Sequence, residues 1–384
     1  MAQTKKIFIV GDYEVRIAMI GQKGIPFISG GVEKHVEEIS KRLVDRGHEV
    51  TVYCRIYTKR EQDTYQGINL KYIKTYENKN LEAIIYTFKA SIDIISKHYD
   101  IIHYHALGPA SLSFIPKLFK NNVVVTVHGL CWRNDKWGKF AKLYLKLGEQ
   151  ASARFPDKVI SVSENLRKYY IQKYCKNPND LKYIPNGVNI GVKKEPNEIK
   201  KFGLEEDNYI LFLARLVPEK GAHYLIEAYN NLQTDKKLVI SGGSSYTDTY
   251  VNRLITNAKN TNIVFTGNVS GRLLEELFSN AYMYVLPSDT EGMPITVLEA
   301  MSYMKCCLVS NIPENVSIIR NDCGFSFIKS NIHSLTDMMA YLLDNPEVVK
   351  NTGIRAHEEV KKKYNWDCVV DKTESLYLDI LKNN

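Results

Sequence analysis

The stretch that most constrains the fold is residues 284–310, YVLPSDTEGMPITVLEAMSYMKCCLVS. Tyr284, Val285 and Leu286 form an apolar run ended by Pro287, which reads as the end of a buried strand. Ser288 to Pro294 is a loop holding Asp289, Glu291 and Gly292. Ile295 to Met304 sets Val297, Leu298, Ala300 and Met301 at helical spacing, and Cys306 to Val309 is a second buried strand. Strand, loop, helix, strand makes one parallel unit. Its loop falls at the carboxyl ends of the strands, where open α/β sheets bind ligands. Glu291 precedes the helix and Glu299 lies within it, seven residues apart in the sense of seven intervening positions. Amides at a helix start can hold a phosphate or sugar hydroxyl, and carboxylates beside that turn can accept hydrogen bonds from a polyol. Met293, Pro294 and Ile295 make the loop apolar, as a pocket wall would be.

At 384 residues the chain is long enough for two domains with full cores. It holds no run of apolar residues long enough to span a bilayer, and its start, MAQTKKIFIVGDYEV, does not read as a signal peptide. The expected location is therefore cytoplasmic. Seven cysteines without a C-x-x-C pair fit reduced thiols better than a disulfide framework or a zinc site. The net charge of +8 is concentrated: residues 131–182 carry twelve Lys and Arg against five Asp and Glu. Such a patch suits peripheral contact with an anionic membrane, at the inner face of the plasma membrane, or a phosphate-bearing acceptor. No nucleic-acid motif accompanies the charge, so nucleic acid is not an expected partner.

Strands and helices alternate almost throughout, which defines an α/β class. Residues 16–20 form the first clear strand. The earlier run Ile7–Val10 is either an extra edge strand or an extension outside the domain. The first strand enters a glycine-bearing loop that ends in Ser29-Gly30-Gly31-Val32-Glu33, followed by a helix with Val36, Ile39, Leu43 and Val44 on one face. Gly30 and Gly31 allow a backbone to approach a diphosphate. The dinucleotide spacing G-x-G-x-x-G is absent. Residues 50–53 are a strand, 82–97 a helix and 100–105 a further strand. Alternation points His103 and His105 to the same side, but no third metal ligand is evident. Val123–Val127 is β-branched and central, with His128-Gly129 at its carboxyl end. The loop beyond holds Trp132 and Trp137, either able to stack on a sugar or to anchor the loop. Ser163 caps a helix. A polar linker over 189–208 separates a first domain, 1–188, from a second, 209–363, and a helix within 364–384 closes the chain.

The second domain opens with a strand at Tyr209–Leu213. Arg215 and Lys220 then flank a turn that enters a helix, two cations suited to clamp a diphosphate. No D-x-D triplet occurs, so no metal is expected. The segment Leu238–Gly243 is a strand and glycine loop. Ile263–Val269 is a strand and turn. Later helices occupy about 332–343, 346–363 and 367–382.

Several of these stretches resemble retaining glycosyltransferases of family 4. The match rests on Gly30–His35 (G-G-V-E-x-H), Arg215–Gly221 (R-x-x-x-x-K-G, with Ala214 where glycine is usual) and Glu291–Glu299 (E-x7-E). The loop 128–138 is similar to a subgroup that includes rhamnosyltransferases. The resemblance implies a GT-B fold, two Rossmann-like domains facing a cleft, with the C-terminal helix returning to the first domain. It implies transfer of a sugar from a nucleotide diphosphate, dTDP-rhamnose or a UDP-sugar, to a hydroxyl of a growing cell-surface glycan, the acceptor being a glycan or a lipid-linked glycan. In those enzymes the Glu291 and His128 positions hold the donor sugar. The Glu299 position binds the ribose, and the Arg215 and Lys220 positions face the diphosphate. Backbone from Gly292 through Met293 and Pro294 to Ile295 reaches the sugar and phosphate, and Gly30 and Gly31 cover the diphosphate. Val269 lies at the base; His105, Trp132 and Trp137 lie toward the acceptor. No cofactor or metal is implied. The same fold also serves nucleotide-sugar 2-epimerases, and a non-catalytic nucleotide-sugar-binding subunit would keep the clamp without turnover.

Overall fold

A computed structural model describes residues 14–26, 30–56, 62–75, 81–133, 137–245, 247–258 and 261–383. The run 7–10 and the middle of the 128–138 loop lie outside them. The described residues fall into two compact units. One is drawn from Met1–Thr126, Leu147–Val159 and Glu374–Asn384, the other from Val127–Lys146 and Ile160–Thr373. Among the described residues, no helix is long and apolar enough to cross a membrane.

Eight strands form the first sheet: β1 (Arg16–Ile20), β2 (Glu49–Ile56), β3 (Thr64–Tyr65), β4 (Ile68–Lys74), β5 (Ile101–His105), β6 (Val123–Val127), β7 (Lys158–Ser161) and β8 (Leu181–Tyr183). Their order is β3-β4-β2-β1-β5-β6-β7-β8. The chain runs outward from β1 through β2, then crosses to the other side of β1 with β5. Both pairings of β1 are parallel. This is a switch point, with the loop after β1 and the end of β5 side by side. Gly21 makes that approach possible. Its φ is +123°, and a Cβ there would lie 2.3 Å from the His105 carbonyl oxygen. Every residue of β6 is buried, as its β-branched run requires.

Six strands form the second sheet: β9 (Tyr209–Leu213), β10 (Lys237–Ser241), β11 (Ile263–Gly267), β12 (Met283–Leu286), β13 (Cys306–Ser310) and β14 (Phe325–Phe327). Their order is β11-β10-β9-β12-β13-β14, and neighbouring strands pair in parallel. The switch point here lies between β9 and β12. The apolar faces of the helices Ala222–Asn230, Ile295–Ser302 and Ile332–Asp344 supply much of the core around this sheet.

The hairpin β3–β4 and the helix Lys139–Arg154 are among the elements that the sequence did not announce. The hairpin β3–β4 is antiparallel; β3 is two residues long, and β4 buries Ile68, Leu70 and Ile73 and exposes Lys74. The helix Lys139–Arg154 turns small residues inward; a Cβ on Gly148 would lie 1.9 Å from the Leu107 carbonyl oxygen. Phe140, Leu143 and Leu147 are exposed while Leu145 is buried, so its apolar pattern does not announce a core face. The polar 189–208 stretch is not loose. Ile199 is fully buried, and Glu276 Oε2 accepts from the amides of Asn197, Glu198 and Ile199 at 2.8, 2.6 and 3.3 Å. Glu374, on the C-terminal helix, pairs with Arg46 Nη1 at 2.5 Å and His48 Nε2 at 2.8 Å within the first unit.

Candidate functional site

The second unit gathers the charged candidates at its switch point. After β9 the chain makes a turn through Arg215, Pro218 and Lys220 into the helix Ala222–Asn230. Gly221 allows this turn: its φ is +72°, and a Cβ would lie 2.0 Å from the Pro287 carbonyl oxygen. The loop after β12 thus packs against the loop after β9, and Asp289 N donates to Glu219 O at 2.9 Å.

These two loops bring Lys220 and Glu291 together. Lys220 Nζ lies 2.5 Å from Glu291 Oε1, and the two side chains are 16% and 6% exposed. Ser288 Oγ also donates to Oε1, at 2.6 Å. Ser288 is held in turn. Its carbonyl accepts from Ser310 Oγ, and Asn315 Nδ2 donates to Ser310 Oγ at 3.0 Å. Oε1 is therefore occupied twice, while Glu291 Oε2 has no hydrogen bond among the described residues. Sequence reasoning missed Ser288, Ser310 and Asn315. Only Ser288 carried a signal, as a hydroxyl three positions before the glutamate in a tight loop.

Gly292 follows directly. A Cβ on it would lie 1.7 Å from the His128 carbonyl oxygen. Gly129, at φ +146°, is as close in return: its Cβ would stand 3.1 Å from Gly292 Cα. The His128-Gly129 backbone thus meets the Glu291 loop without an intervening side chain. Met293 is fixed by Asn186, whose buried amide Nδ2 donates to Met293 O at 3.0 Å. Pro294 precedes the helix Ile295–Ser302, which opens at Ile295. Glu299 is half-buried in that helix. Tyr284, buried under it, bonds Thr296 Oγ1 at 2.8 Å and Leu213 O at 3.0 Å, tying the helix to the end of β9.

Arg215 is exposed, and its guanidinium has no hydrogen-bond or ion-pair partner among the described residues. The loop after β10 lies against the turn after β11. A Cβ on Gly243 would meet the Asn268 side chain at 2.5 Å, with the half-buried Val269 next in sequence. Trp132 is half-buried, with Lys146 Nζ 5.0 Å and the Arg133 guanidinium carbon 5.5 Å from its ring centroid. Trp137 is half-buried as well.

In the first unit Gly30, at φ +112°, precedes the helix Gly31–Asp45, and both glycines are exposed. His105 is fully buried, with Nε2 3.4 Å from Met19 Sδ. The rings of His103 and His105 stand 4.2 Å apart, on one side of β5 as alternation requires. His35 joins them, its ring 5.6 Å from that of His105, an imidazole the sequence reading did not bring to the pair. His103 bonds Tyr377 OH at 2.6 Å and Thr126 Oγ1 at 2.7 Å. Burial holds its pKa well below the ordinary value, so the ring is neutral.

Two Rossmann-like sheets, with acids and cations gathered at the carboxyl ends of the second, define the class: a GT-B glycosyltransferase. Residues 29–192 match the model of Glycosyltransferase Family 4, and residues 194–359 match that of Glycosyl transferases group 1. The chain belongs to glycosyltransferase family 4 and is an enzyme of the transferase class. It is 26% identical to an uncharacterized glycosyltransferase of Methanocaldococcus jannaschii, over 94% of this chain and 98% of the relative. It is 27% identical to the UDP-Gal:alpha-D-GlcNAc-diphosphoundecaprenol alpha-1,3-galactosyltransferase of Escherichia coli, over 79% and 81%. The structure of Anabaena HepE in complex with UDP and glucose superposes with a TM-score of 0.79 at 16% identity, covering 95% of this chain and all of that one.

Proposed function

We propose that this glycosyltransferase moves a hexosyl group from a UDP-sugar to a hydroxyl of a growing, lipid-linked surface glycan, with retention of anomeric configuration and without a metal. The observation that carries the reading is Glu291. Lys220 and Ser288 saturate Oε1, so Oε2 is the acceptor left for a donor-sugar hydroxyl. The His128-Gly129 backbone beside Gly292 supplies the opposite wall. In the transfer the bond from C1 to the phosphate oxygen breaks, and a bond from C1 to the acceptor oxygen forms on the same face. The acceptor's proton passes to the departing phosphate. Charge grows on the diphosphate as this happens, and fixed cations in a preorganised site stabilise it more in the transition state than in the ground state. Arg215 is the free cation for that work, with Lys220 beside it. Glu299 takes the ribose hydroxyls, and the backbone at Val269 meets the base.

Support for UDP comes from the relatives: the Escherichia coli enzyme is named for UDP-Gal, and HepE holds UDP. The lipid-linked acceptor follows the diphosphoundecaprenol in the former's name. The test is thermal shift with UDP-glucose, UDP-galactose and dTDP-rhamnose, followed by nucleotide release with a polyprenyl-diphosphate sugar. A saturating donor at about 100 times its Kd should stabilise the fold by about 2.7 kcal/mol. The expected result is a shift with a UDP-sugar and release that rises with acceptor. A shift with dTDP-rhamnose alone replaces the donor. Sugar-nucleotide interconversion without acceptor establishes an epimerase, and binding with no turnover establishes a binding subunit.

A further inference from the structure

Taking a carboxylate out of water costs free energy unless other groups satisfy it. Glu314 is half-buried, yet among the described residues its carboxylate makes no ion pair and no hydrogen bond to another residue. Burial raises its pKa above the ordinary value, and the Glu291 carboxylate adds to the rise. Its own amide and the Arg133 and Lys329 cations oppose it.

The backbone holds Glu314 in place from both sides. It stands on the four-residue helix Pro313–Val316, which follows β13. Asn315, the next residue, is fully buried, and its Nδ2 donates to Ser310 O at 3.3 Å and to Ser310 Oγ at 3.0 Å. Ser310 Oγ donates in turn to Ser288 O, in the loop of Glu291. On the other side Ile312 is buried, and Asn311 Oδ1 accepts from Lys329 N at 2.9 Å. Glu314 is therefore carried beside the Glu291 loop on the next strand of the sheet.

Arg133 is its counterpart. The guanidinium carbon lies 5.5 Å from the Trp132 ring centroid and 5.8 Å from that of Tyr169, so two rings steady an otherwise exposed side chain. Arg133 forms no ion pair among the described residues. Arg133 and Glu314 thus feel each other's charge across a gap that neither closes.

An ionised carboxylate only accepts hydrogen bonds and a guanidinium only donates them. A ligand that fills the gap must do both, and the hydroxyls of a sugar do. A phosphate would suit Arg133 but be repelled by Glu314. Trp132, half-buried, adds a ring face on which the apolar side of a pyranose can lie. Glu291 Oε2 is already taken as the acceptor for the donor sugar. A second carboxylate on the adjoining strand, near the Trp132 loop, serves the other sugar of the reaction.

We infer that Glu314 and Arg133 together hold the acceptor sugar, the carboxylate accepting from one of its hydroxyls and the guanidinium donating to another, with Trp132 against its ring. The inference rests on the transferase reading and names the residues that recognise its acceptor.

The experiment measures nucleotide release by the full chain at saturating UDP-sugar while a polyprenyl-diphosphate sugar is varied. The chains compared are the wild type, E314A, E314Q, R133A and E314A/R133A. Acceptor KM should rise about tenfold in E314A, the loss expected for a hydrogen bond to a charged group, and less in E314Q. Its kcat should change less than its KM, because the contact holds the acceptor before and during transfer alike. The double variant should lose less than the product of the single losses, since both side chains hold one sugar. Thermal shift by the UDP-sugar should match wild type in every variant. E314Q keeps the shape of the side chain and decides the question if E314A does not fold. Acceptor KM within about twofold of wild type in E314Q and R133A overturns the inference. So does a loss of the UDP-sugar shift, which would assign Glu314 to the donor. Wild-type release that the acceptor does not raise removes the transferase reading and this inference with it, so the two failures are told apart.

Discussion

Replacing Gly292 by alanine isolates the contact between the His128-Gly129 backbone and the Glu291 loop. Gly292 has no left-handed backbone angle, so alanine adds no torsional strain there. The obstacle is space. The new Cβ would stand 1.7 Å from the His128 carbonyl oxygen and 2.8 Å from its carbon, whereas real Cβ atoms essentially never come within 3.0 Å of another atom. Neither neighbour is a side-chain tip that can swing away. The two backbones must part by about 1.3 Å, and a displacement of about 1 Å at a reacting centre costs on the order of 10²-fold in rate. We expect kcat to fall about 100-fold, equivalent to roughly 2.7 kcal/mol of lost transition-state stabilisation. Overpacking should also lower stability by about 1–3 kcal/mol. The assay is steady-state nucleotide release with acceptor, read beside thermal melting. Gly138→Ala is the control, since a Cβ there meets nothing within 4 Å. A G292A enzyme within about threefold of the wild-type rate would refute the claim that the two backbones form one surface around the donor.

Three further outcomes follow from the same geometry. Arg215→Ala should lower kcat on the order of 10²-fold with little change in melting temperature, because the exposed guanidinium supports departing charge and no contact of the fold; near-normal turnover would remove it from the clamp. Ser288→Ala leaves Glu291 Oε1 with Lys220 alone, and should cost about 1 kcal/mol in kcat, roughly fivefold, with KM nearly unchanged; Ser288→Thr should recover most of it. The buried neutral His103 should make the fold acid-sensitive. The unfolded chain takes up a proton as pH falls through the ordinary value of 6.5, while the native ring does not. Stability should therefore decline below about pH 6.5 by up to about 1.4 kcal/mol per unit from this group, and His103→Gln should flatten that part of the melting-temperature profile.

Much of the fold was legible because its signals are local. The β-branched run 123–127 is a buried strand, and the apolar spacing at 295–302 is a helix. Ser163 caps its helix by accepting from Leu166 N at 3.2 Å. The misses have a common cause. The helix Lys139–Arg154 buries Gly148, Ala151 and Ala153 with Leu145 and exposes Phe140, Leu143 and Leu147, blurring the pattern by which a core face is recognised. The β4 strand alternates incompletely, and its partner β3 is two residues long.

The site divides along the same line. Arg215, Lys220 and Glu291 could be picked out because cations and a carboxylate at strand ends have no packing role there. Their mutual arrangement could not, because Lys220 and Glu291 are 71 residues apart and meet only through strand order. Once β12 lies beside β9, the loops leaving both strands must share the carboxyl edge of the sheet. The close approach at Gly221 then fixes their separation. The Ser288-Ser310-Asn315 chain depends on a further neighbour, β13, whose last residue is Ser310. Each added strand thus contributes a polar group that narrows the freedom of one carboxylate. Glu291 reaches the donor with one oxygen already committed, and the oxygen it has left is what the catalytic reading uses.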